Sequence, residues 1–206
     1  MKLTEQMRKG ISFYFAPAVN VPIDFDMIEK SMGLDDYFLM KKSDLAKSIA
    51  TSMHSLQSYG DGHSYDKHLQ DVVNTLIEFG YNTEDRLCAA WLHDTVEDTP
   101  MTLGQIADRF GSDIANMVYA VTSERGMNRK ERNSKTYYKL LKYPEAIPVK
   151  LADRISNVRH SKQGKGETRY YNMYKDEYVM FREILYKEDE FVEMWGCLDT
   201  LLEFNS

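Results

Sequence analysis

The stretch "AAWLHDTVEDT", residues 89–99, decides the reading of this chain. An apolar lead-in of Ala89, Ala90, Trp91 and Leu92 runs into His93, Asp94, Glu97 and Asp98. In a helix each residue turns about 100°, so His93 stacks on Glu97 one turn on, and Asp94 stacks on Asp98. All four groups then fall within an arc of roughly 140°. Three carboxylates so close repel one another unless a cation lies among them. Imidazole nitrogen with carboxylate oxygen suits manganese, iron, zinc or a similar first-row ion. A solvated, acid-rich helix end is the alternative. The apolar lead-in argues against it, because the helix enters the cluster from a buried face.

Outward from that stretch the chain reads as helix. Thr83 is the candidate cap of "EDRLCAAWLHDTVED", with Glu84 and Asp85 well placed in its first turn. Upstream, "DKHLQDVVNTLIEFG" puts Leu69, Val72, Val73, Leu76 and Ile77 on one stripe and stops at Gly80. Before it, "SDLAKSIATSMHSLQSY" opens at the candidate cap Ser43 and repeats Leu45, Ile49 and Met53 in steps of four. Downstream, "TLGQIADRFG" opens at Thr102 and ends at Gly111, and "SDIANMVYAVTSE" opens at Ser112. "VKLADRISNVRHS" follows Pro144 and Pro148, and Gly164 and Gly166 then interrupt the pattern. Phe191, Met194, Trp195, Leu198, Leu201 and Leu202 recur at threes and fours, which predicts a C-terminal amphipathic helix docked on the core. "SFYFAPAVNVPIDFD", near the start, is aromatic and proline-containing and reads as irregular. Strand signals are too sparse for a sheet. The expectation is an all-α bundle: an N-terminal appendage over 1–42, a core over 43–163, and C-terminal helices over 164–206 packed on that core.

Composition narrows the function classes. A chain of 206 residues suits one domain with a real core. A net charge of −6 disfavours non-specific nucleic-acid binding, and no specific nucleic-acid binding is expected. Cys88 and Cys197 form neither a metal-spaced pair nor a disulfide framework, so they read as free thiols of a reducing compartment. No run reaches the ~18 apolar residues of a membrane span. "ISFYFAPAV", residues 11–19, makes a poor signal core beside Glu5, Pro17 and Asn20. A cytoplasmic protein is expected, with no membrane partner. Nothing in the pattern assigns an oligomeric state.

An adjacent His–Asp pair cannot close a coordination sphere alone. Five histidines are available: His54, His63, His68, His93 and His160. His68 sits at the start of an apolar-striped helix. Asp153 sits inside the apolar run of "VKLADRISN", where a charge is costly unless paired or metal-bound. Taken together, His68, His93-Asp94 and Asp153 resemble the H…HD…D pattern of HD-domain metal phosphohydrolases. "AAWLHDTVEDT", "FGSDIANMVYAVT" and "VKLADRISNVR" are similar to the hydrolase domains of RelA/SpoT-type alarmone enzymes, especially the small stand-alone hydrolases. The resemblance covers roughly residues 54–160.

The resemblance implies an HD-domain helical bundle and an enzyme. The implied reaction is metal-dependent removal of the 3′-pyrophosphate from guanosine tetra- or pentaphosphate, ppGpp or pppGpp. It implies His68, His93, Asp94 and Asp153 as ligands of one divalent metal, usually manganese in such enzymes. It implies Glu97 and Asp98 as the pair that positions and activates the attacking water. Asn157 would hold the nucleotide substrate near the metal, and Lys150 and Arg154 would reach phosphate. Lys150 reads equally as a support behind the ligands or a surface residue.

The chain departs from the pattern it resembles ahead of His68. The family pattern is "HxGQxR…G.PYxxHP", and here stands "HSLQSYGDGHSYDKHL". His54, Gln57, Tyr65 and His68 fit, both prolines are missing, and Ser58 and Tyr59 stand where the basic residue is expected. In the family that basic side chain packs on guanine, so base choice is the property this departure touches. Tyr59 either stacks on a base in its place or is a core tyrosine. His63 either supplies a polar contact or is simply exposed. "SERGMNRKERNSK", residues 123–135, is a basic patch that is either a solvated face or a lure for phosphate. Two other functions share these residues: an HD-type 5′-nucleotidase or related nucleotide phosphohydrolase, and a non-catalytic nucleotide-binding regulatory module. The intact Glu97–Asp98 pair argues against the second.

Overall fold

The computed structural model describes residues 40–60, 62–163 and 168–204. Nearly all of the expected appendage, and both Gly164 and Gly166, lie outside the described residues. The chain runs α1 (Lys42–Met53), β1 (Ser58–Tyr59), β2 (His63–Ser64), α2 (Asp66–Glu78), α3 (Glu84–Leu92), α4 (Thr95–Asp98), α5 (Leu103–Phe110) and α6 (Ser112–Val121). It continues through α7 (Arg129–Leu140), a 3-10 turn (Pro144–Ala146), α8 (Ile147–Gln163), α9 (Thr168–Leu185) and α10 (Val192–Leu201). The all-α reading holds. Among the described residues the one addition is an antiparallel hairpin of two-residue strands, pairing Ser58 with Ser64 and Tyr59 with His63. Gly60 and Gly62 turn it at φ +56° and +95°, a region open to glycine at little steric cost.

Helix α8 is the axis of the bundle. It packs against α2 on one side and α9 and α10 on others, and touches α3 and α6. It is buried on most of its circumference, from Ile147 through Val158. Its two adjacent charges, Asp153 and Arg154, are therefore forced into the interior and need partners there. The stripe of α2 buries Leu69, Val72, Val73 and Leu76, whereas Ile77 is exposed at the edge of that stripe. Met194, Trp195, Leu198 and Leu202 are all buried, so the C-terminal helix docks on α8 as its spacing predicts. Among the described residues no helix is long and apolar enough to cross a membrane.

Helix starts depart from the expected caps in several places. Thr102 forms a full capping box with Gln105. Ser43, by contrast, lies inside α1, whose cap position is Lys41. Its backbone N–H donates to Glu84 Oε1 at 2.7 Å, so a carboxylate from α3 does the capping. Gly111, at φ +98°, takes the cap position expected of Ser112. Thr83 occupies its cap position without a capping side-chain bond.

Candidate active site

Residues 84–98 are not one continuous helix. Helix α3 ends at Leu92, and a turn at His93–Asp94 leads into α4. Two side chains bond to carbonyls at the break: His93 Nδ1 donates to Ala90 O at 2.7 Å, and Thr95 Oγ1 donates to Leu92 O at 2.7 Å. The turn leaves His93 buried, while Glu97 and Asp98 open toward solvent. The single arc expected from the sequence is thus replaced by an inward His–Asp pair and an outer carboxylate pair.

Three elements bring the candidate ligands together. His68 comes from the first turn of α2, His93 and Asp94 from the turn, and Asp153 from α8. His68, His93 and Asp94 form a group able to hold a metal ion. The two Nε2 atoms lie 3.3 Å apart. His93 Nε2 is 3.0 Å from Asp94 Oδ2, and His68 Nε2 is 3.5 Å from the same oxygen. Asp153 Oδ1 lies 3.6 Å from His68 Nε2 and 3.9 Å from His93 Nε2. An ion with bonds of about 2.1 Å keeps its ligand atoms about 3.0 Å apart at right angles and about 3.4 Å apart in a tetrahedron. The edges among His68, His93 and Asp94, at 3.0–3.5 Å, lie close to that range, and those to Asp153 are longer, at 3.6 and 3.9 Å. The ring orientation fits as well: the Nδ1–H of His93 is spent on a carbonyl, so Nε2 is the nitrogen that faces the cluster and binds an ion once deprotonated.

The electrostatics favour a cation here. Burial lowers the His93 pKa, but the Asp94 charge, the Asp94 hydrogen bond and Asp153 outweigh it and bring it up to about 9. Burial opposes charge on Asp94, yet His93 and His68 hold its carboxyl well below the usual range. Asp153 is likewise held low against burial, by Lys150 first and then the two histidines. The outer pair behaves oppositely. Burial and the Asp94 charge raise Glu97. The side chain of Asp98 is exposed, but the packed atoms around its carboxyl, then Asp94 and Glu97, push it up to about 7. Such a carboxylate is basic enough to take a proton near neutral pH.

The other expected site residues divide. Lys150 Nζ donates to Asp153 Oδ2 at 3.0 Å, and its charge also acts on Glu97, so it lies beside the cluster. Asn157 Nδ2 donates to Asp153 Oδ1 at 2.5 Å, one turn along α8. Arg154 does not join them. It is 5 % exposed, donates to Glu177 Oε2 at 2.8 Å and to the Tyr137 hydroxyl at 2.9 Å, and packs over Tyr174 and Phe181. The phosphate contact expected of Arg154 gives way to a structural tie between α8, α7 and α9. Tyr59 is similarly engaged. Its ring stacks on His68 at 4.7 Å and tilts over His160 at 4.5 Å, and its hydroxyl donates to Asn157 Oδ1 at 2.9 Å. A tyrosine packed behind a candidate ligand replaces the base-stacking one. His63 is exposed on β2. Two residues of the basic patch are neutralised in place, Arg129 by Glu177 and Lys135 by Glu131 at 2.6 Å.

Four further groups, to which the sequence assigns no role, surround the cluster. The Tyr65 hydroxyl donates to Asp94 Oδ2 at 2.7 Å and lies 3.3 Å from Asp98 Oδ2. His54 stacks on Tyr65 at 4.5 Å, and its Nδ1 bonds Gln57 Oε1 at 2.7 Å. Gln57 Nε2 donates to the Asp98 carbonyl at 2.8 Å. The Ser123 N–H donates to Glu97 Oε1 at 2.5 Å. His54, Gln57 and Tyr65 were visible as matches to a pattern but carried no role. The Ser123 contact is backbone and left no signal.

The hairpin sets Tyr59 through Gly60. A Cβ at Gly60 would meet His160 Nε2 at 2.2 Å, and the φ of +56° disfavours any other residue. Gly60→Ala is expected to cost about 1–3 kcal/mol. Urea unfolding should show a lower midpoint, and an unchanged midpoint would contradict the packing described.

With this geometry in view, the likeness to known proteins is specific. The model of the HD domain family matches residues 46–176, crossing residue 163 into α9. A Xenopus tropicalis protein, guanosine-3′,5′-bis(diphosphate) 3′-pyrophosphohydrolase MESH1, is 34% identical over 125 residues, covering 57% of this chain and 68% of that protein. The chain belongs to the HD-domain family, in its SpoT-type branch. An Aquifex aeolicus guanosine-3′,5′-bis(diphosphate) 3′-pyrophosphohydrolase is 36% identical over 118 residues, which is 55% of this chain and 17% of that protein. The bifunctional (p)ppGpp synthase/hydrolase SpoT of Escherichia coli K12 is 31% identical over 127 residues, 58% of this chain and 18% of its own length. The chain thus spans under a fifth of these long relatives. A solved metazoan ortholog of SpoT, described as hydrolysing ppGpp, superposes with a TM-score of 0.67 at 24% identity, over 80% of this chain and 95% of that one. At that identity the match bears on the fold of this SpoT-type domain.

Proposed function

We propose that this SpoT-type HD domain is a metal-dependent pyrophosphohydrolase that removes the 3′-pyrophosphate from guanosine tetra- or pentaphosphate, with manganese as its ion. The observation that carries the reading is the meeting of His68, His93, Asp94 and Asp153 at 3.0–3.9 Å, beside the Glu97–Asp98 pair. The Xenopus relative named for this reaction supports it. His68, His93, Asp94 and Asp153 would hold the ion. A divalent cation there supplies Lewis-acid polarisation of the phosphoryl group and acidifies water. Water attacks the phosphorus joined to the ribose 3′-oxygen. Glu97, fixed by the Ser123 N–H, and Asp98 together aim the water and take its proton. The bond from phosphorus to the 3′-oxygen breaks, that oxygen takes a proton, and the products are GDP or GTP with pyrophosphate. Lys150 offsets negative charge building on the phosphoryl oxygens, and Asn157, held by Tyr59, orients the substrate. The two unbridged thiols suit a cytoplasmic setting.

The test is a product assay with manganese on ppGpp, pppGpp, an adenine analogue and simple nucleotides. Pyrophosphate from the guanine alarmones is the expected result. Pyrophosphate from the adenine compound alone would mean a changed base pocket around the same chemistry. Orthophosphate from simple nucleotides would favour a nucleotidase, and tight binding without product a regulatory module.

Metal affinity should depend on pH. The His93 pKa is raised, so its contribution to stability is full below the unfolded value near 6.5 and is lost as pH rises through about 9. A metal must displace that proton, so manganese affinity should rise between pH 6.5 and 9. Calorimetric titrations at several pH values would show the rise, and a flat affinity would remove His93 from the ligand set.

A further inference from the structure

We propose that Tyr65 is a positioning residue that couples the candidate metal ligand Asp94 to the candidate proton acceptor Asp98. The inference rests on the roles proposed above for those two aspartates. The Tyr65 hydroxyl meets the same Asp94 oxygen, Oδ2, that faces both histidine Nε2 atoms. A carboxylate oxygen has two lone-pair directions. One is taken by Tyr65, which leaves the other aimed at the histidines. The same hydroxyl is 3.3 Å from Asp98 Oδ2, so a single donor lies between two carboxylates that otherwise repel.

Tyr65 is itself fixed. It is 8 % exposed, its ring lies nearly parallel to His54 at 11°, and its edge meets His68 at 5.7 Å. His54 is held by Gln57, and Gln57 holds the Asp98 carbonyl. The contacts close a circuit from the Asp98 backbone through Gln57, His54 and Tyr65 to the Asp98 side chain. Asp98 lies at the end of a four-residue helix and opens to solvent, so nothing else in α4 would hold its carboxylate still. Gripping it at both carbonyl and carboxylate keeps it oriented toward the ligand cluster.

The test is Tyr65→Phe, which deletes the hydroxyl and keeps the ring on His54. Tyr178→Phe is the control. Tyr178 is also buried and donates to a carboxylate, Asp199 Oδ1 at 2.7 Å, but in the α9–α10 contact. Two quantities are read: manganese Kd by calorimetry, and kcat and KM on ppGpp. Removing a hydrogen-bond partner behind a ligand weakens metal binding or activity by about 10–100-fold. Tyr65→Phe should therefore raise the manganese Kd about tenfold and lower kcat at saturating metal, with KM within about threefold; Tyr178→Phe should change none of these. Manganese affinity and kcat both within twofold of wild type would overturn the proposal, as would equal losses in the two variants. If wild type hydrolyses no alarmone, the function proposed above fails, and the manganese Kd of Tyr65→Phe still decides this one.

Discussion

Asp94→Ala is expected to lose bound metal and turnover together. Asp94 Oδ2 joins both histidines to Tyr65, facing His93 Nε2 at 3.0 Å, His68 Nε2 at 3.5 Å and the Tyr65 hydroxyl at 2.7 Å. Its carboxylate also supplies the largest charge effect raising His93. Without it, two buried imidazoles and Asp153 remain, a set with less charge and one ligand fewer. Loss of a supporting partner costs about 10–100-fold, so loss of a ligand should exceed that and lower kcat about a thousandfold or more. The fold should survive, because the substitution relieves repulsion on Glu97 and Asp98 rather than opening the apolar core. Elemental analysis beside an activity assay checks this. Full manganese occupancy in Asp94→Ala would show that the ligand set is wrong.

Glu97→Gln is the second large effect, and it separates binding from chemistry. Glu97 lies outside the cluster edges, held by the Ser123 N–H and acted on by the Lys150 charge. The amide keeps the shape and the acceptor oxygen but cannot take a proton. Metal content should stay at the wild-type level while kcat falls about 10²–10⁴-fold, the range of general acid–base contributions. Asp98→Asn makes the comparison. If Glu97→Gln is near normal and Asp98→Asn is inactive, Asp98 alone handles the proton, in keeping with its pKa of about 7. Loss of metal from Glu97→Gln would instead place Glu97 among the ligands.

What the sequence displayed and what it concealed have separate physical causes. Stripes at threes and fours gave α2 and α10, because burial on one face is a property of the helix itself. The cap of α1 was hidden because its partner, Glu84, comes from another helix. The break at His93–Asp94 was hidden because it depends on bonds from His93 and Thr95 to nearby carbonyls, while both turn residues keep right-handed helical dihedrals. The approach of Asp153 to the two histidines follows from burial, because a charge in an apolar run demands a partner. Lys150 and Arg154, both basic on the same helix, were not separable without Glu177, which comes from α9 and claims the arginine. Tyr65 fits the family pattern, but its partners are visible only where the fold brings it against two aspartates.

The central claim is that water attacks the 3′-pyrophosphate at this site. The most direct test is hydrolysis of ppGpp in ¹⁸O-labelled water with manganese, with each product resolved by mass. The account predicts pyrophosphate carrying one ¹⁸O and unlabelled GDP. Label in the nucleotide, or orthophosphate as the released species, would contradict it.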